Sequence, residues 1–188
     1  MLAKEEINMY YVVQVYGRKD DETIEYIKKI VPSDIATEIF SPSRIIRKKY
    51  KNTWKDVKER CFPGYIFIDT PDPEKLFAEL KKVPMFTKLL GRSKDGDIYI
   101  TLTKKECRLI DTIAGRNTNR IMGISDVLIE PGNKIKIIAG PFVGNEGLLV
   151  KYDLHKRIAY VDVDFLSRKI QMKVGINLIV EANKNEHS

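Results

Sequence analysis

Hydrophobic positions follow two different periods along the N-terminal half of the chain. The first is a run rich in β-branched and aromatic residues at positions 10–16, which predicts a buried strand. In the second, Ile24, Ile27 and Val31 recur at helical spacing until Pro32 ends the run. The chain therefore opens with a strand followed by an amphipathic helix.

A long, irregular strand is predicted next over residues 35–51, interrupted at Pro42. We expect residues 52–55 to form the tip of a β-hairpin arm, from which the chain returns toward a further strand at residues 65–68. This half of the molecule is thus expected to contain an antiparallel sheet.

Two further helices are predicted in this half. The apolar stripe of one consists of Leu76, Phe77 and Leu80. The other begins at a capping box, in which Thr103 is followed three residues later by Glu106.

The pattern changes after residues 116–126, which show no periodicity and are expected to be a linker. Beyond them Val161 and Val163 alternate with aspartates, a period typical of half-buried antiparallel strands. About five short strands in this region favour a small closed barrel. We therefore expect an α+β chain with a sheet-and-helix domain over residues 8–115 and a β-barrel over residues 127–181.

Charge is concentrated in one stretch. The net charge of the chain is +7, and residues 41–60 contain eight basic and two acidic side chains, a net of +6. A basic ribbon with Trp54 and Tyr50 as stacking surfaces favours contact with nucleic acid, and the alternative is a solvated arm without a ligand. The predicted nucleic-acid-binding residues are Arg44, Arg47, Lys48, Lys49, Lys51, Trp54, Lys55, Lys58 and Arg60.

Several classes of protein are disfavoured. No apolar run is long enough for a membrane span, and the acidic N-terminus lacks an h-region, so we expect a cytoplasmic protein. Cys61 and Cys107 are too few and too far apart for a disulfide framework or a zinc site. Neither Cys61 nor His155 has a nucleophile–base partner nearby in sequence, so we expect no enzymatic activity, metal or cofactor.

Three motifs carry a family resemblance when they occur in this order. They are Phe62-Pro63-Gly64-Tyr65, then Val83-Pro84, and then Gly140-Pro141-Phe142 leading to Gly147. Together with the first strand they make the chain resemble the NusG family of transcription elongation and antitermination factors. The resemblance implies an NGN-type α/β sandwich followed by an SH3-like KOW barrel. The basic arm is similar to that of specialised paralogues of the LoaP type, which implies contact with nascent RNA or upstream DNA.

The resemblance also implies partners. An apolar patch would dock on the clamp helices of the large subunit of RNA polymerase and so modulate pausing and termination. Some of its side chains could instead be ordinary core, because alternation places Tyr65 and Phe67 on one face of their strand and Ile66 and Ile68 on the other. The residues implied for polymerase binding are Tyr11, Phe62, Tyr65, Phe67, Val83 and Phe86.

The KOW barrel is expected to bind a second partner, either a small-subunit ribosomal protein or Rho. Phe165, Leu166 and Ile170 are implied as its contact edge, although the alternation makes Phe165 a core candidate. A monomer is expected. The competing hypothesis is a ribosome-associated RNA-binding KOW protein, which would have no use for the domain that carries Phe62-Pro63-Gly64-Tyr65.

Overall fold

A computed structural model describes residues 9–17, 19–85, 87–89, 100–132 and 134–179. The chain forms two compact units: Met1–Pro42 with Arg60–Thr112, and Ser43–Glu59 with Ile113–Ser188. The segment Ser43–Glu59 therefore groups with the C-terminal unit, whereas the sequence pattern led us to expect it in the N-terminal domain.

The first unit combines helices and strands, and strands dominate the second. Single 3₁₀ turns at Arg116–Thr118 and Glu146–Leu148 complete the second unit. In chain order the elements are β1 Tyr10–Val15, α1 Asp20–Ile30, β2 Glu38–Phe40, β3 Ser43–Tyr50, β4 Thr53–Arg60, β5 Tyr65–Asp69, α2 Pro73–Leu80, β6 Thr87–Leu89, α3 Lys104–Ile113, β7 Ile121–Met122, β8 Ser125–Glu130, β9 Lys134–Ala139, β10 Leu149–Asp153, β11 Ile158–Phe165 and β12 Arg168–Leu178.

The first unit contains an antiparallel sheet with strand order β2-β5-β1-β6. Val13 lies opposite Ile66, and both pack into a core with Ile27 of α1 and Leu76 of α2. The opposite face holds an aromatic cluster around Phe67. Because apolar side chains pack on both faces, the strands read as near-continuous hydrophobic runs.

Side chains cap the starts of α2 and α3, and the second cap is the one predicted from the sequence. The Asp72 side chain accepts a hydrogen bond from the Lys75 amide at 3.0 Å and caps α2. In the capping box, the Thr103 amide donates to Glu106 Oε2 at 2.7 Å and the Glu106 amide donates to Thr103 Oγ1 at 3.2 Å. Phe77 departs from its prediction, because it is 37% exposed with the Lys81 ammonium 4.3 Å from its ring centroid.

The predicted C-terminal strands are confirmed as one five-stranded sheet, which we call the C-terminal sheet, with order β10-β11-β12-β8-β9. Its pairings are antiparallel except for β8 with β12, which is parallel. Val161, Val163 and Val174 lie in its core. Gly140, at φ +102°, is required by a close approach, since a Cβ there would lie 2.6 Å from the Cα of Ser125.

The predicted linker at residues 116–126 contains ordered elements. Strand β7 pairs in parallel with β3, which places β3 between β4 and β7. The Ser43 amide donates to the Arg120 carbonyl at 2.9 Å, and the buried Arg120 side chain donates to the Ala114 carbonyl at 3.3 Å. This segment thus anchors the start of the hairpin formed by β3 and β4.

Candidate binding surfaces

The segment Phe62-Pro63-Gly64-Tyr65 forms a tight turn. The Tyr65 amide donates to the Phe62 carbonyl at 3.1 Å, and Gly64 adopts φ +84°. Proline followed by a glycine at positive φ, with this hydrogen bond, indicates a type II turn. The backbone geometry of the turn therefore accounts for the presence of Pro63 and Gly64 at its two middle positions.

A buried carboxylate holds this turn in place. Asp20, in the first turn of α1, accepts a hydrogen bond from the Gly64 amide at 2.9 Å. The Gly64 carbonyl in turn accepts from the Val15 amide at 2.9 Å. The sequence gives no local signal for this role of Asp20, because its partner lies 44 residues away.

The aromatic side chains of the motif belong to the core. Phe67 is 0% exposed and Phe62 is 5% exposed. The ring centroids of Phe62 and Phe67 lie 5.6 Å apart, Phe40 lies 5.6 Å from Phe67, and Tyr10 lies 5.0 Å from Phe40. The expectation that Phe62 and Phe67 are exposed for binding is wrong, because the sheet has no solvent face at this point.

The predicted polymerase-binding residues also do not form one surface. Tyr11 shares a sheet face with Val13 and packs against the helix-covered core, where Val83 is buried as well. Tyr65 lies opposite Gln14, on the other face. Tyr11 and Tyr65 are half-buried, and burial raises the pKa of the Tyr11 phenol. Phe86 lies outside the described residues.

The basic hairpin, defined as β3, β4 and their turn, confirms the predicted arm in outline. Its turn consists of Lys51 and Asn52, with φ +43° and +65°, a pair of positive values typical of a two-residue type I′ turn. The tip therefore overlaps the predicted residues 52–55 only at Asn52, and Trp54 lies on β4.

Carboxylates of the hairpin pair with three of its cations. Glu59 pairs with Arg44 at 3.2 Å and with Lys48 at 2.7 Å, and Asp56 pairs with Arg47 at 3.1 Å. The hydrogen bond from Lys48 lowers the pKa of Glu59, and the same contact raises the pKa of Lys48. These three cations are thus engaged within the hairpin itself.

Arg60 has a separate role in the first unit. Its guanidinium donates to the Ser41 carbonyl at 2.5 Å and pairs with Asp21. Its side chain is 17% exposed. The expectation that Arg60 binds nucleic acid is therefore not supported by its surroundings.

The remaining cations of the hairpin are exposed. Among the described residues none of them forms an ion pair with a carboxylate, and Tyr50 beside the tip is 50% exposed. These exposed cations are Lys49, Lys51, Lys55 and Lys58.

The hairpin packs on the C-terminal sheet rather than extending freely. Gly175 of β12 permits this approach, since a Cβ there would lie 2.6 Å from the Ile45 carbonyl oxygen. Arg47 donates to Asn177 Oδ1 at 2.8 Å, and the Arg157 guanidinium lies 4.8 Å from the Trp54 ring centroid. The predicted arm is thus part of a surface that it shares with the C-terminal sheet.

The predicted second contact edge is only partly at the surface. Phe165 is buried, as its alternation indicated, whereas Leu166 and Ile170 are half-buried. Leu166 and Ser167 have φ of +51° and +61° and form the turn between β11 and β12.

Known proteins resemble this chain in sequence and in fold. The family model described as "Transcription termination factor nusG" matches residues 8–111, more than half of the chain. The chain belongs to the NusG family. The matched region contains both the turn at Phe62–Tyr65 and the basic hairpin.

Relatives of this NusG-family chain are similar over nearly their whole length. The transcription termination/antitermination protein NusG of Borreliella burgdorferi is 25% identical, with 90% of this chain and 96% of the relative covered. That of Helicobacter pylori is 22% identical, with 88% and 93% covered. A solved structure described as "Domain interaction in Thermotoga maritima NusG" matches with a TM-score of 0.51 at 22% identity, covering 89% of this chain and 93% of that one.

The described part of this NusG-family chain contains neither a metal-binding cluster nor a membrane-spanning helix. Its His, Cys, Asp and Glu side chains form no group of three that could hold a metal ion. Within the same residues no helix has the length and apolar character needed to cross a membrane.

Proposed function

We propose that this protein is a bacterial transcription elongation factor that binds RNA polymerase, modulates pausing and termination, and acts as an antiterminator in the cytoplasm. The observation that carries the proposal is the NusG family match over residues 8–111, extended by full-length similarity to NusG termination/antitermination proteins. The protein makes and breaks no bond in this function. It acts through higher affinity for one conformation of the polymerase than for another.

The first unit is the proposed polymerase-binding part, with the clamp helices of the large subunit as its target. Burial removes Phe62, Phe67 and Val83 as direct contacts, because their side chains have almost no exposed area. Half-buried Tyr65 beside exposed Pro63 is the accessible aromatic of the motif. Aromatic anchors of this kind supply much of the energy of protein interfaces.

Polymerase capture tests this assignment. Tyr65→Ala is expected to weaken retention of the protein on immobilised RNA polymerase by about tenfold, since loss of one anchor costs on the order of 1–2 kcal/mol. Tyr16→Ala is the matched control, because Tyr16 is 77% exposed and lies just after β1. Equal retention of both folded variants would contradict a role for Tyr65.

Nucleic-acid contact is proposed for the basic hairpin, with nascent RNA or upstream DNA as the ligand. The supporting observation is the set of exposed hairpin lysines that lack carboxylate partners among the described residues. Binding dominated by phosphates must weaken steeply with salt. The combined variant K51Q/K55Q/K58Q should lose most of the affinity for a labelled leader RNA and most of its salt dependence, and unchanged binding would remove the hairpin contact.

The second unit is proposed to bind a ribosomal protein of the small subunit or Rho through the surface near Leu166 and Ile170, both half-buried. A ribosome-associated RNA-binding protein is the competing function. The family match to residues 8–111 favours the transcription role, because that region lies outside the C-terminal sheet. Co-purification with ribosomal subunits but not with polymerase would favour the competitor.

A further inference from the structure

The hairpin and the C-terminal sheet line a cleft. Its volume is about 390 Å³, within the range of roughly 300–1,000 Å³ typical of small-molecule sites. Both walls belong to the same compact unit. We call it the hairpin cleft.

Part of the lining of the hairpin cleft is apolar. Ile46 of β3 and Ile158 of β11 line it and are 2% and 4% exposed. Half-buried Trp54 also lines it, and the Arg157 guanidinium lies 4.8 Å from the Trp54 ring centroid. An aromatic ring fixed in this way offers a stacking surface to a planar ligand.

Apart from His155, the rest of the lining consists of lysines and one arginine. Lys49 and Lys173 are exposed, line the cleft, and form no ion pair with a carboxylate among the described residues. Lys156 also lines it and is held by Asp153 at 3.1 Å. None of the described lining residues is an aspartate or glutamate. The cleft therefore favours an anion that also carries a flat apolar ring.

We propose that the hairpin cleft holds one unpaired nucleotide of a single-stranded nucleic acid, with the base on Trp54 and the phosphates at Lys49 and Lys173. This assignment rests on the proposed nucleic-acid contact of the hairpin and makes it specific for unpaired strands. In a duplex the base faces are stacked on their neighbours, so they cannot enter the cleft. Stacking of bases on aromatic side chains, beside a cationic path for the backbone, is the usual way of binding single strands.

The composition of the chain gives a direct probe of this site. Trp54 is the only tryptophan, so selective excitation of tryptophan fluorescence reports on the cleft alone. Titration of the full chain with an oligouridylate RNA or an oligothymidylate DNA should quench this fluorescence to saturation. A duplex of the same length should bind at least about tenfold more weakly, and the stronger of the two single strands identifies the source of the ligand.

Two lysine substitutions on β12 distinguish binding in the cleft from general electrostatic attraction between the protein and the nucleic acid. Lys173→Gln should weaken single-strand binding by about tenfold, the cost expected for one charge-assisted contact of about 1.5 kcal/mol. Lys169→Gln removes the same charge from β12, and it should bind like the parent because Lys169 does not line the cleft. Unchanged thermal unfolding of both variants establishes that they are folded.

The outcomes of these experiments distinguish nucleotide binding in the cleft from nucleic-acid binding by the hairpin in general. Duplex binding as tight as single-strand binding, or equal effects of the two substitutions, would overturn the cleft assignment. Binding seen by fluorescence anisotropy of a labelled strand without quenching of Trp54 would also overturn it. If K51Q/K55Q/K58Q abolishes binding while Lys173→Gln does not, the hairpin contact stands and the cleft fails. If no nucleic acid binds at low salt, both fail, and capture of polymerase still tests the rest of the proposed function.

Discussion

The turn at Phe62–Tyr65 and the basic hairpin follow one another in the chain but expose their characteristic side chains to opposite extents. The Phe62 ring is almost completely buried, and the turn is fixed by hydrogen bonds to Asp20 and Val15. The hairpin instead presents lysines without carboxylate partners along and around a two-residue tip. The first region is defined by its internal contacts, and the second by the charges it leaves open.

This difference between the turn and the hairpin indicates which of them can bind a partner. Buried aromatic side chains stabilise the fold but supply no area to a partner unless the core opens. Ion pairs to Glu59 and Asp56 hold Arg44 and Arg47, while lysines such as Lys51 and Lys55 have no carboxylate partner among the described residues. A short motif typical of a family can therefore indicate its fold more than its binding site.

Phe67→Ala is the variant expected to change stability most, and it tests whether the aromatic residues of the turn region belong to the core. The ring is 0% exposed and packs between Phe40 and Phe62, so its removal should lower the free energy of unfolding by about 3–5 kcal/mol. Urea denaturation measures this change. Phe77→Ala, on an exposed part of α2, should cost much less. If Phe67→Ala left stability unchanged and abolished polymerase capture, Phe67 would be a surface contact and the contrast would fail.

Gly64→Ala tests whether the turn is specified by its backbone. Gly64 has φ +84°, a conformation that costs residues with a side chain about 1–3 kcal/mol. A Cβ there would lie 3.5 Å from the Val15 carbonyl oxygen, an ordinary contact, so conformational strain rather than crowding sets the cost. Thermal unfolding should show a lower Tm for Gly64→Ala. Gly17→Ala is the control, and an equal loss in both variants would remove the turn-specific explanation.

Glu59→Gln tests the ion pairs of the hairpin. Arg44 is 14% exposed and Glu59 is 28% exposed, so loss of the carboxylate should cost about 1–2 kcal/mol, between the values for exposed and buried pairs. Lys48 lowers the pKa of Glu59 below its ordinary value of 4.5. A lowered folded-state pKa means that this stabilisation is present above pH 4.5 and is lost as the pH falls through the folded-state value.

Urea unfolding at neutral pH and at successively lower pH measures the Glu59 contribution. The difference between the parent and Glu59→Gln should shrink as the solution is acidified. Glu25→Gln is the control, because Glu25 pairs with Lys28 at 3.9 Å on an exposed helix surface. A difference that persists unchanged in acid would exclude the carboxylate as its cause.

Local signals in the sequence predicted the elements well and the surfaces less well. The capping box at Thr103 and Glu106 and the hairpin around Lys51 depend on neighbouring residues, and both were predicted. The hydrogen bond from Gly64 to Asp20 joins distant residues and has no local signal.

The family resemblance implied an exposed Phe67, and alternation could not correct this, because alternation does not distinguish a sheet packed on both faces from one that faces solvent. The packing of the hairpin on the C-terminal sheet was also not predicted. Gly175 and Asn177, which permit and fix that packing, resemble ordinary strand residues in sequence.

Lys58→Gln is the variant expected to change stability least. It tests directly whether the exposed lysines of the basic hairpin bind nucleic acid. Lys58 is exposed and without an ion-pair partner among the described residues, so its replacement should change the free energy of unfolding by no more than about 0.5 kcal/mol. If the open charges of the hairpin serve nucleic acid, the slope of log affinity against log salt should fall by about 0.7 for each phosphate that the variant no longer neutralises. A measurable loss of stability with an unchanged salt slope would mean that Lys58, like Arg60, works inside the protein.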